Sequence, residues 1–440
     1  ALTLSTDGFG QAAGSIRGTV KNASTGRLLS NAAVTLQGTN KTTTTNEYGV
    51  YRFDGLATGE YTVSASFVGL QAGTVTVLVD AGMTAGVDIT LRSKQFTMED
   101  EDVFELEAFE VGGSDYNSNA IAQNERKMSS SLKLVQDSEA LGEIAEGNIG
   151  EFLKNLPGVA IDYVAADARS IKLRGMGAEF TQVTVDGAPM ASAGSSGAIR
   201  QFELEQVSLS NVAHLEVTKL PRADMPANSL GGSVNLVSKN AFAQGGREIK
   251  YKAYLNWNSH EGFDLGETPG WTASETKTKT KPGFEINYSD VFFEDRLGAS
   301  FTFSQSNQFN IQQRLQRNGT YRVLSDGSIR NDRIQLQDGP KFTFRQSAAM
   351  NLDFKLSDST ILTLRSQANE YDSEFGNKNY NWRINSTNTA ASSGGRIEGT
   401  PHNGNTNIGG SNRHKYGTTY HVDLGAKHTF GDWKIDYGVS

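Results

Sequence analysis

The feature that most constrains this chain is a long alternation of apolar and polar residues that begins after residue 240. In the stretch "REIKYKAYLNWNS" the apolar side chains occupy every second position, at Ile249, Tyr251, Ala253, Leu255 and Trp257. The alternation recurs over 341–356, where it predicts Lys341, Arg345, Asn351 and Asp353 on the polar face, and over 420–430. A period of two places successive side chains on opposite faces of a β-strand. Strands this long, with one apolar and one polar face, are typical of a transmembrane barrel, whereas the strands of a soluble sandwich have about five or six residues.

The connections between these strands favour the same architecture. We predict seven strands, near 247–259, 284–291, 296–306, 341–356, 360–372, 417–430 and 433–440. Long polar connections (260–283, 307–340 and 373–416) alternate with short ones (292–295, 357–359 and 431–432). Outer-membrane barrels have short turns at one end and long loops at the other. The sequence has no apolar run of about 18 residues, which a membrane helix needs. If the chain crosses the bilayer, we therefore predict that it does so as β-strands.

Residues 15–92 predict a small all-β domain. Short β-rich runs separated by turn residues, from "SIRGTVKN" to "GVDITL", are typical of a β-sandwich. Gly18, Val20 and the stretches "TGRLLSNAAVTL" and "TTTNEYGVYRFDGLATGEYTVSASFVG" resemble the carboxypeptidase-regulatory-like domain. We expect a structural or docking role for this domain. A zinc peptidase needs clustered His and Glu ligands, and residues 1–213 contain no histidine.

Composition and motif spacing argue against several classes of chemistry. The chain has no cysteine, and therefore no disulfide, thiolate zinc site or thiol nucleophile. Its formal net charge of −8 disfavours nucleic acid, which requires a basic face. The stretch "GMGAEF" lacks the third glycine and the following helix of a dinucleotide fingerprint, and "GSSGA" and "GGSVN" lack the last glycine of a nucleophile elbow. We predict no enzyme activity, no cofactor and no metal site.

An acidic segment follows the first domain. The stretch "MEDEDVFELEAFE" at 98–110 contains seven carboxylates, and runs of like charge are usually solvated linkers. It also carries Phe104, Leu106, Phe109 and, just beyond, Val111, so an extended segment of this kind can add as a strand to the sheet edge of a partner. Calcium binding is the weakest alternative, because the carboxylate spacing matches no EF-hand loop.

The segment at about 120–240 predicts an α+β domain. Helices are expected at 139–146 and 148–155, and the second has Ile149, Phe152, Leu153 and Leu156 on one face. Strands are expected at 159–163, 170–174, 181–186, 213–218 and 233–238. Three stretches in this segment, "GEFLKNLPGVAID", "IKLRGMGAEFTQVTVDGAPM" and "HLEVTKLPRADMPANSLGGSVNLVSKNAF", resemble in order the signature stretches of the plug domain of TonB-dependent outer-membrane receptors.

The resemblance assigns structural positions in the plug to Leu156, Pro157, Gly158, Arg174, Gly175, Gly177, Asp186, Gly187, Gly231 and Gly232. One departure is Asn228-Ser229-Leu230, where many members have small residues. In this family the segment ahead of the plug holds the Ton box, the strand that a periplasmic energising protein grasps. The Ton box is therefore predicted at Val103, Phe104, Glu105, Leu106, Glu107, Ala108, Phe109, Glu110 and Val111.

The resemblance implies a mainly β protein in five parts: a signal-peptide remnant or disordered start (1–14), the β-sandwich (15–92), an acidic linker with the Ton box (93–119), the α+β plug domain (120–240) and the first antiparallel strands of a transmembrane barrel (241–440). The family's barrel has about 22 strands, so these seven are expected to belong to a longer chain. The first domain and the linker are expected in the periplasm and the barrel in outer-membrane lipid.

The function implied by the resemblance is active transport of a scarce nutrient, driven by the proton gradient through the TonB complex. The alternatives are a surface-binding or adhesion protein that uses the barrel as an anchor, and a passive porin. The ligand stays open among ferric siderophores, cobalamin, oligosaccharides and peptides. Aromatic side chains at Tyr371, Phe375, Tyr380 and Trp382 suit either sugar stacking or a membrane-interface girdle. The histidines at 414, 421 and 428 alternate faces at a spacing of seven and are not expected to converge.

Overall fold

The fold is taken from a computed structural model. It describes residues 13–93, 123–127, 129, 131–138, 148–164, 167–190, 201–206, 208, 210–221, 225, 227–244, 246–269, 276–317, 319–323, 327, 329–357, 359–384, 404–430 and 433–440. The predicted Ton box at 103–111 and the predicted helix at 139–146 lie outside these residues.

The first domain, called the sandwich below, consists of two packed sheets. One has the order β4-β1-β9-β6 with β8 beside β1, and the other has the order β3-β2-β5-β7. The strands are β1 (Gly14–Asn22), β2 (Ala33–Leu36), β3 (Thr42–Thr44), β4 (Val50–Leu56), β5 (Gly59–Ser66), β6 (Leu70–Gln71), β7 (Gly73–Val79), β8 (Thr84–Gly86) and β9 (Ile89–Ser93). Alternate side chains of both sheets, such as Val34, Val63 and Ile89, fill an apolar core between them. The predicted β-sandwich is confirmed.

The middle domain packs a short helix and a hairpin against a five-stranded sheet of order β10-β15-β16-β13-β14. Residues 123–127 form a helical turn, α1. The other elements are β10 (Lys133–Asp137), α2 (Ile149–Leu153), the hairpin of β11 (Val159–Val164) and β12 (Asp167–Leu173), β13 (Thr181–Val185), β14 (Ala188–Pro189), β15 (Val212–Thr218) and β16 (Gly232–Ser238), with 3-10 turns at Ala178–Phe180, Leu204–Gln206, Ala227–Ser229 and Ala241–Gln244. Helix α2 begins at Asn148, whose side-chain oxygen accepts a hydrogen bond from the Gly150 N–H at 2.9 Å. The four apolar residues predicted on one face of this helix are all buried.

The last part of the chain forms a nine-stranded antiparallel sheet, called the half-barrel below. The long strands β17, β20, β21, β26, β27, β28 and β29 follow one another across it, and β22 and β25 extend it beside the far end of β27. Their bounds are β17 (Glu248–Asn256), β20 (Lys281–Phe292), β21 (Leu297–Ile311), β22 (Arg314–Gln316), β25 (Arg333–Asp338), β26 (Pro340–Ser357), β27 (Thr360–Ile384), β28 (Gly404–Phe430) and β29 (Trp433–Val439). Two small hairpins, β18 (Glu267–Pro269) with β19 (Thr276–Thr278) and β23 (Tyr321–Val323) with β24 (Ile329–Asn331), lie in the connections.

Burial in the half-barrel is inverted relative to a soluble sheet. Along β26 the polar side chains of Arg345, Asn351 and Asp353 are at most 4% exposed, while Met350 between them is 40% exposed. Strand β17 exposes Tyr251 at 81%. The polar face therefore lies against the middle domain and the apolar face points outward, which is the arrangement of a membrane barrel. Among the described residues no helix is long and apolar enough to cross a membrane.

All seven predicted strands of the half-barrel are present, but two are much longer than predicted. Strand β27 has 25 residues and β28 has 27, so all of the described part of the predicted loop at 373–416 is strand. One face of β27 carries Glu370, Asp372 and Glu374 before Tyr380 and Trp382, and residues 404–415 of β28 are largely polar on both faces. Backbone pairing continues where the apolar alternation is interrupted, so alternation marks only part of each strand.

Candidate functional site

The predicted signature residues of the middle domain lie at tight turns. Pro157-Gly158 follows helix α2, and Gly158 has φ +78°. The Gly158 carbonyl accepts a hydrogen bond at 3.1 Å from the N–H of Arg174, which begins the next turn with φ +57°. The Arg174 guanidinium in turn donates to the Lys219 carbonyl at 2.9 Å. Arg174 of the second signature stretch therefore bonds to the first stretch at Gly158 and to the third at Lys219.

Asp186-Gly187 forms the tight hairpin between β13 and β14, with φ of +50° and +86°. Asp186 also accepts a hydrogen bond from the Ser238 N–H at 2.9 Å, which ties the hairpin to β16. Gly232 has φ +128°, and a Cβ there would lie 2.4 Å from the Thr218 carbonyl oxygen, so only glycine fits. Gly231 donates to the Phe180 carbonyl at 2.9 Å, close to the turn that holds Gly175 and Gly177.

A buried ionic cluster joins the middle domain to the half-barrel. Asp167, at the start of β12, is 1% exposed and pairs with Lys341 and with Arg345, whose Nη2 lies 3.1 Å from Oδ1. The Arg345 Nε also donates to the Glu205 carbonyl at 2.9 Å. Burial opposes ionisation of Asp167, but the charges of Arg345 and Lys341 outweigh it and lower the pKa of this carboxyl. The cluster therefore holds one carboxylate between two cations from β26.

Two further buried carboxylates extend this cluster. Glu203 accepts a hydrogen bond from the Arg169 Nε at 3.1 Å. Glu205 lies 3.6 Å from the Lys415 Nζ, and within the described residues neither of its carboxylate oxygens accepts a hydrogen bond. Burial raises the pKa of Glu205, and the charge of Lys415 opposes this shift.

Hydrogen bonds in which at least one partner is neutral also cross the same boundary. Asn351 donates to the Asn211 side-chain oxygen at 2.9 Å, and the hydroxyls of Ser210 and Ser304 are 2.9 Å apart. Lys239 donates to the Asn287 side-chain oxygen at 2.9 Å. The middle domain is thus held inside the half-barrel by polar groups on both sides.

A cavity of about 420 Å³, the outer cavity, lies where the β11–β12 hairpin meets the long extensions of the half-barrel. The described residues that line it are mainly cationic or amide side chains: Val164, Arg169, Gln312, Arg314, Gln316, Gln335, Gln337, Phe375, Asn377, Asn379, Ser411, Arg413 and Lys415. None of these carries a carboxylate. Guanidinium and amide groups donate several hydrogen bonds each, so the cavity is suited to a ligand rich in oxygen acceptors.

The four aromatic residues considered for sugar stacking all lie on β27, but their environments differ. Tyr371 is buried below the cavity, with the Arg345 guanidinium 5.6 Å from its ring centre. Phe375 lines the outer cavity. Trp382 is 45% exposed, and Tyr380 shares its face of the strand. Of the four, Phe375 alone contributes to the cavity.

Two groups of His and carboxylate side chains lie close together, although no metal site was predicted. Glu125, His214 and Glu216 form one group, and Asp372, Glu374 and His414 form the other. In the first, Lys133 pairs with Glu216, so a cation already neutralises part of the charge. Burial alone would lower the pKa of His214, but the neighbouring carboxylates of Glu216 and Glu125 raise it. Among the described residues His414 does not share its group with His421 or His428.

Comparison with known proteins accounts for the first two domains. The family profile of the carboxypeptidase regulatory-like domain matches residues 15–92, and that of the TonB-dependent receptor plug domain matches residues 125–233. Residues 125–233 are thus similar to the plug domain of the TonB-dependent receptors. The middle domain is accordingly called the plug below.

Individual relatives are more distant. The ferric enterobactin receptor of Pseudomonas aeruginosa is 26% identical over 160 residues, covering 34% of this chain and 21% of that protein. A solved ferric enterobactin receptor of the same organism is 15% identical with a TM-score of 0.34, covering 70% of this chain and 47% of that one. A ferric citrate transporter is 13% identical with a TM-score of 0.33, covering 72% and 56%. The chain therefore spans only part of the length of these relatives.

Sequence reasoning missed the ionic cluster. It placed Lys341, Arg345 and Asp353 on the polar face of β26, which is confirmed, but it named no partner for them. Asp167 lies between alanines in "AADARS" and has no local signal of burial. The charge of Lys341 and Arg345 was the available signal. Charged residues on the inner face of a barrel strand require partners of opposite charge, which the domain inside the barrel must supply.

Proposed function

We propose that this protein is a TonB-dependent transporter that carries a nutrient ligand across the bacterial outer membrane with energy from the proton gradient. The observation that carries this proposal is a plug domain enclosed by a sheet whose polar face is buried and whose apolar face is exposed. In this proposal the half-barrel lies in outer-membrane lipid, and the sandwich and linker lie in the periplasm. The TonB complex is the periplasmic partner.

The polar boundary of the plug supports a path that opens by rearrangement. A hydrogen bond between protein groups can be exchanged for bonds to water at a net change of only about 0.5–1.5 kcal/mol. Moving the plug relative to Asn351, Ser304 or Asn287 therefore exposes little apolar surface. The ionic cluster at Asp167 provides the larger part of the resistance, because its charges must be rehydrated when it opens.

The outer cavity is where we propose that the ligand binds. Its guanidinium, ammonium and amide groups favour an oxygen-rich ligand with negative charge, such as a ferric siderophore, over a neutral one. The ferric enterobactin receptor that is similar in sequence supports this choice. A neutral oligosaccharide is the alternative. Competition between labelled ferric chelates and neutral oligosaccharides for surface binding distinguishes the two classes.

Substitutions in the predicted Ton box test whether uptake is driven through this segment. We propose that 103–111 adds as a strand to a partner sheet, so backbone hydrogen bonds supply much of its affinity. Leu106→Pro removes one donor and fixes φ, and we expect it to abolish uptake in the full-length protein. Leu106→Ala should weaken uptake only modestly, because the backbone is unchanged. Surface binding should survive both substitutions.

Uptake and surface binding are measured separately, at matched receptor abundance, with and without a protonophore. Uptake that continues at the normal rate in the Leu106→Pro variant would reduce this segment to a linker. Binding without energised uptake in the unmodified protein would favour an anchored surface receptor, and uptake that survives the protonophore would favour a passive pore.

A further inference from the structure

The sandwich presents one aromatic side chain to the rest of the molecule from the tip of a tight turn. Tyr48 lies in the turn before β4, where the Asn46 side-chain oxygen accepts hydrogen bonds from the N–H groups of Tyr48 and Val50, both at 3.0 Å. A tyrosine at the tip of a turn would be exposed in an isolated domain. Tyr48 is nevertheless only 1% exposed, because residues of the plug and half-barrel cover it.

The pocket that receives Tyr48 is specific in both its apolar and its polar parts. The ring packs edge-on against Phe242 of the plug, with ring centres 5.7 Å apart. The hydroxyl donates to the Asp353 carboxylate of β26 at 2.9 Å. Burial, and next the charge of Asp353, raise the pKa of Tyr48 well above its usual range, so it stays a donor. Aromatic packing and a charge-assisted hydrogen bond thus act on one side chain.

The Tyr48 contact continues into the plug through charged groups. The Arg365 Nη2 donates to the same Asp353 oxygen at 2.6 Å, and the Arg365 Nε lies 3.7 Å from Asp186. Asp186 is the signature residue of the β13–β14 hairpin described above. The sandwich, the half-barrel and the plug therefore share one chain of polar contacts.

Two further contacts hold the sandwich at the same end of the half-barrel, the end with short turns. Lys427 of β28 pairs with Glu47, the neighbour of Tyr48. The Asn124 side chain, on α1, donates to the Asn31 carbonyl at 2.5 Å. Helix α1 is the first described element of the chain after the linker that contains the proposed Ton box.

The docked sandwich covers a large space. A cavity of about 700 Å³, the inner cavity, is lined on one side by Arg27, Asn31 and Glu47 of the sandwich and on the other sides by plug and half-barrel residues, including His214 and Arg365. Short turns mark the periplasmic end of outer-membrane barrels. A ligand that passed the plug would therefore meet the sandwich before it reached the periplasm.

We propose that the sandwich is a periplasmic gate, docked by Tyr48, that must leave the mouth of the half-barrel before a ligand can exit. This gate rests on the proposed transport function. It gives the carboxypeptidase-regulatory-like domain a role in the transport path itself. The proposal also explains why α1 contacts the sandwich, since tension on the linker would reach α1 and the Asn124–Asn31 contact first.

The test places thiols in a stretch of 440 residues that contains no cysteine. Glu47→Cys and Lys427→Cys introduce one thiol on each side of the docked interface of the full-length protein. A short bifunctional thiol reagent with a cleavable bond is applied to cells or isolated outer membranes. We expect efficient crosslinking of the pair. Adding Tyr48→Ala should reduce the yield on the order of tenfold, and Tyr48→Phe, which removes only the hydroxyl, by about two- to fivefold.

Tyr61→Phe is the matched control, because the Tyr61 hydroxyl donates within the sandwich, to the Ala57 carbonyl at 3.0 Å, and it should leave crosslinking unchanged. Crosslinked cells should lose uptake by at least tenfold while retaining surface binding, and cleavage of the reagent should restore uptake.

No crosslinking in the otherwise unmodified double-cysteine protein would overturn the docking. Transport at the uncrosslinked rate through crosslinked protein would overturn the gate. Uptake that is independent of the proton gradient would overturn the proposed energy source alone, because neither crosslinking nor its effect on passage depends on energy.

Discussion

The plug has two boundaries of opposite chemistry: an apolar boundary between its own helix and sheet, and a polar boundary toward the half-barrel. The apolar boundary is formed by residues that are at most 1% exposed, among them Ile149, Leu215, Val234 and Leu236. Toward the half-barrel, the plug presents Asp167 and other polar groups to an equally polar face. Apolar burial is worth about 25 cal/mol per Å² and is lost when water enters. Polar contacts are largely replaced by water. The contrast indicates a plug that stays folded while it moves.

Breaking the apolar boundary should have the largest effect. Leu215→Ala leaves a cavity in the plug core, because Leu215 is fully buried there and pairs with Leu236 of β16. We expect a loss of about 2–5 kcal/mol in the free energy of unfolding of the plug. Leu220→Ala, at a 47% exposed leucine just beyond the same strand, is the matched control and should change it little.

Pulse proteolysis at increasing urea, with cleavage sites in the plug identified, measures this difference. Equal losses for the two variants would mean that the apolar core does not hold the plug together, and the contrast between its two boundaries would fail.

Breaking the polar boundary should loosen the plug without unfolding it. Asp167→Asn leaves Lys341 and Arg345 without their shared carboxylate. Water that enters between plug and half-barrel limits the loss, which we expect on the order of 2 kcal/mol, below the 3–5 kcal/mol of a pair that stays dry. The control is Asp162→Asn, because Asp162 pairs with Lys172 on the same hairpin at 46% exposure, where a pair contributes about 0–1 kcal/mol.

Entry of a bulky hydrophilic antibiotic through the outer membrane measures the loosening, and protease resistance of the plug core measures folding. We expect increased entry with unchanged protease resistance for Asp167→Asn alone. Loss of protease resistance in this variant would show that the ionic cluster also holds the plug fold.

The sequence predicted the parts of the molecule that repeat a pattern. Alternation fixed which face of β26 is polar, so Arg345 and Asn351 were placed correctly from their positions alone. Glu370, Asp372 and Glu374 interrupt the alternation on β27, and residues 404–415 of β28 are largely polar, so both strands were predicted too short. The resemblance assigned structural positions to Asp186 and Gly187, and their left-handed backbone explains why these residue types stand there.

Contacts between domains were beyond prediction from the sequence. Asp167 and Arg345 are 178 residues apart, and Tyr48 and Asp353 are 305 apart. No local propensity links residues at such separations, because their pairing depends on how whole domains are packed. The local sequence around Tyr48 is that of an ordinary tyrosine in a turn, and its burial becomes visible only in the contact with the half-barrel.

The smallest predicted effect concerns pH, which acts on polar contacts and leaves apolar ones unchanged. His214 of the plug is surrounded by Glu125 from α1, by Lys133 and Asp137 from β10 and by Glu216 on its own strand. Burial raises the pKa of Glu216, but its interactions with His214, Lys133 and Asn235 outweigh it and lower the pKa from 4.5 to about 2.

The sign of each effect follows from linkage. Glu216 has a lowered pKa in the folded plug, so its contribution to stability is present above pH 4.5 and is lost as the pH falls toward about 2. His214 has a raised pKa, so its contribution is complete below pH 6.5 and is lost as the pH rises through the folded value. Burial raises the pKa of Glu125, which acts in the same direction as His214, with its contribution lost above pH 4.5.

We therefore expect plug stability, measured by pulse proteolysis of the full-length protein, to decline modestly from pH 6 to pH 8, by less than the effect of either substitution above. His214→Gln should flatten that decline, because the group that binds the extra proton is gone, while Leu215→Ala should lower the whole curve without changing its slope. A decline of the same slope in His214→Gln would assign the pH response to other groups, and the polar cluster at α1 would then have no part in it.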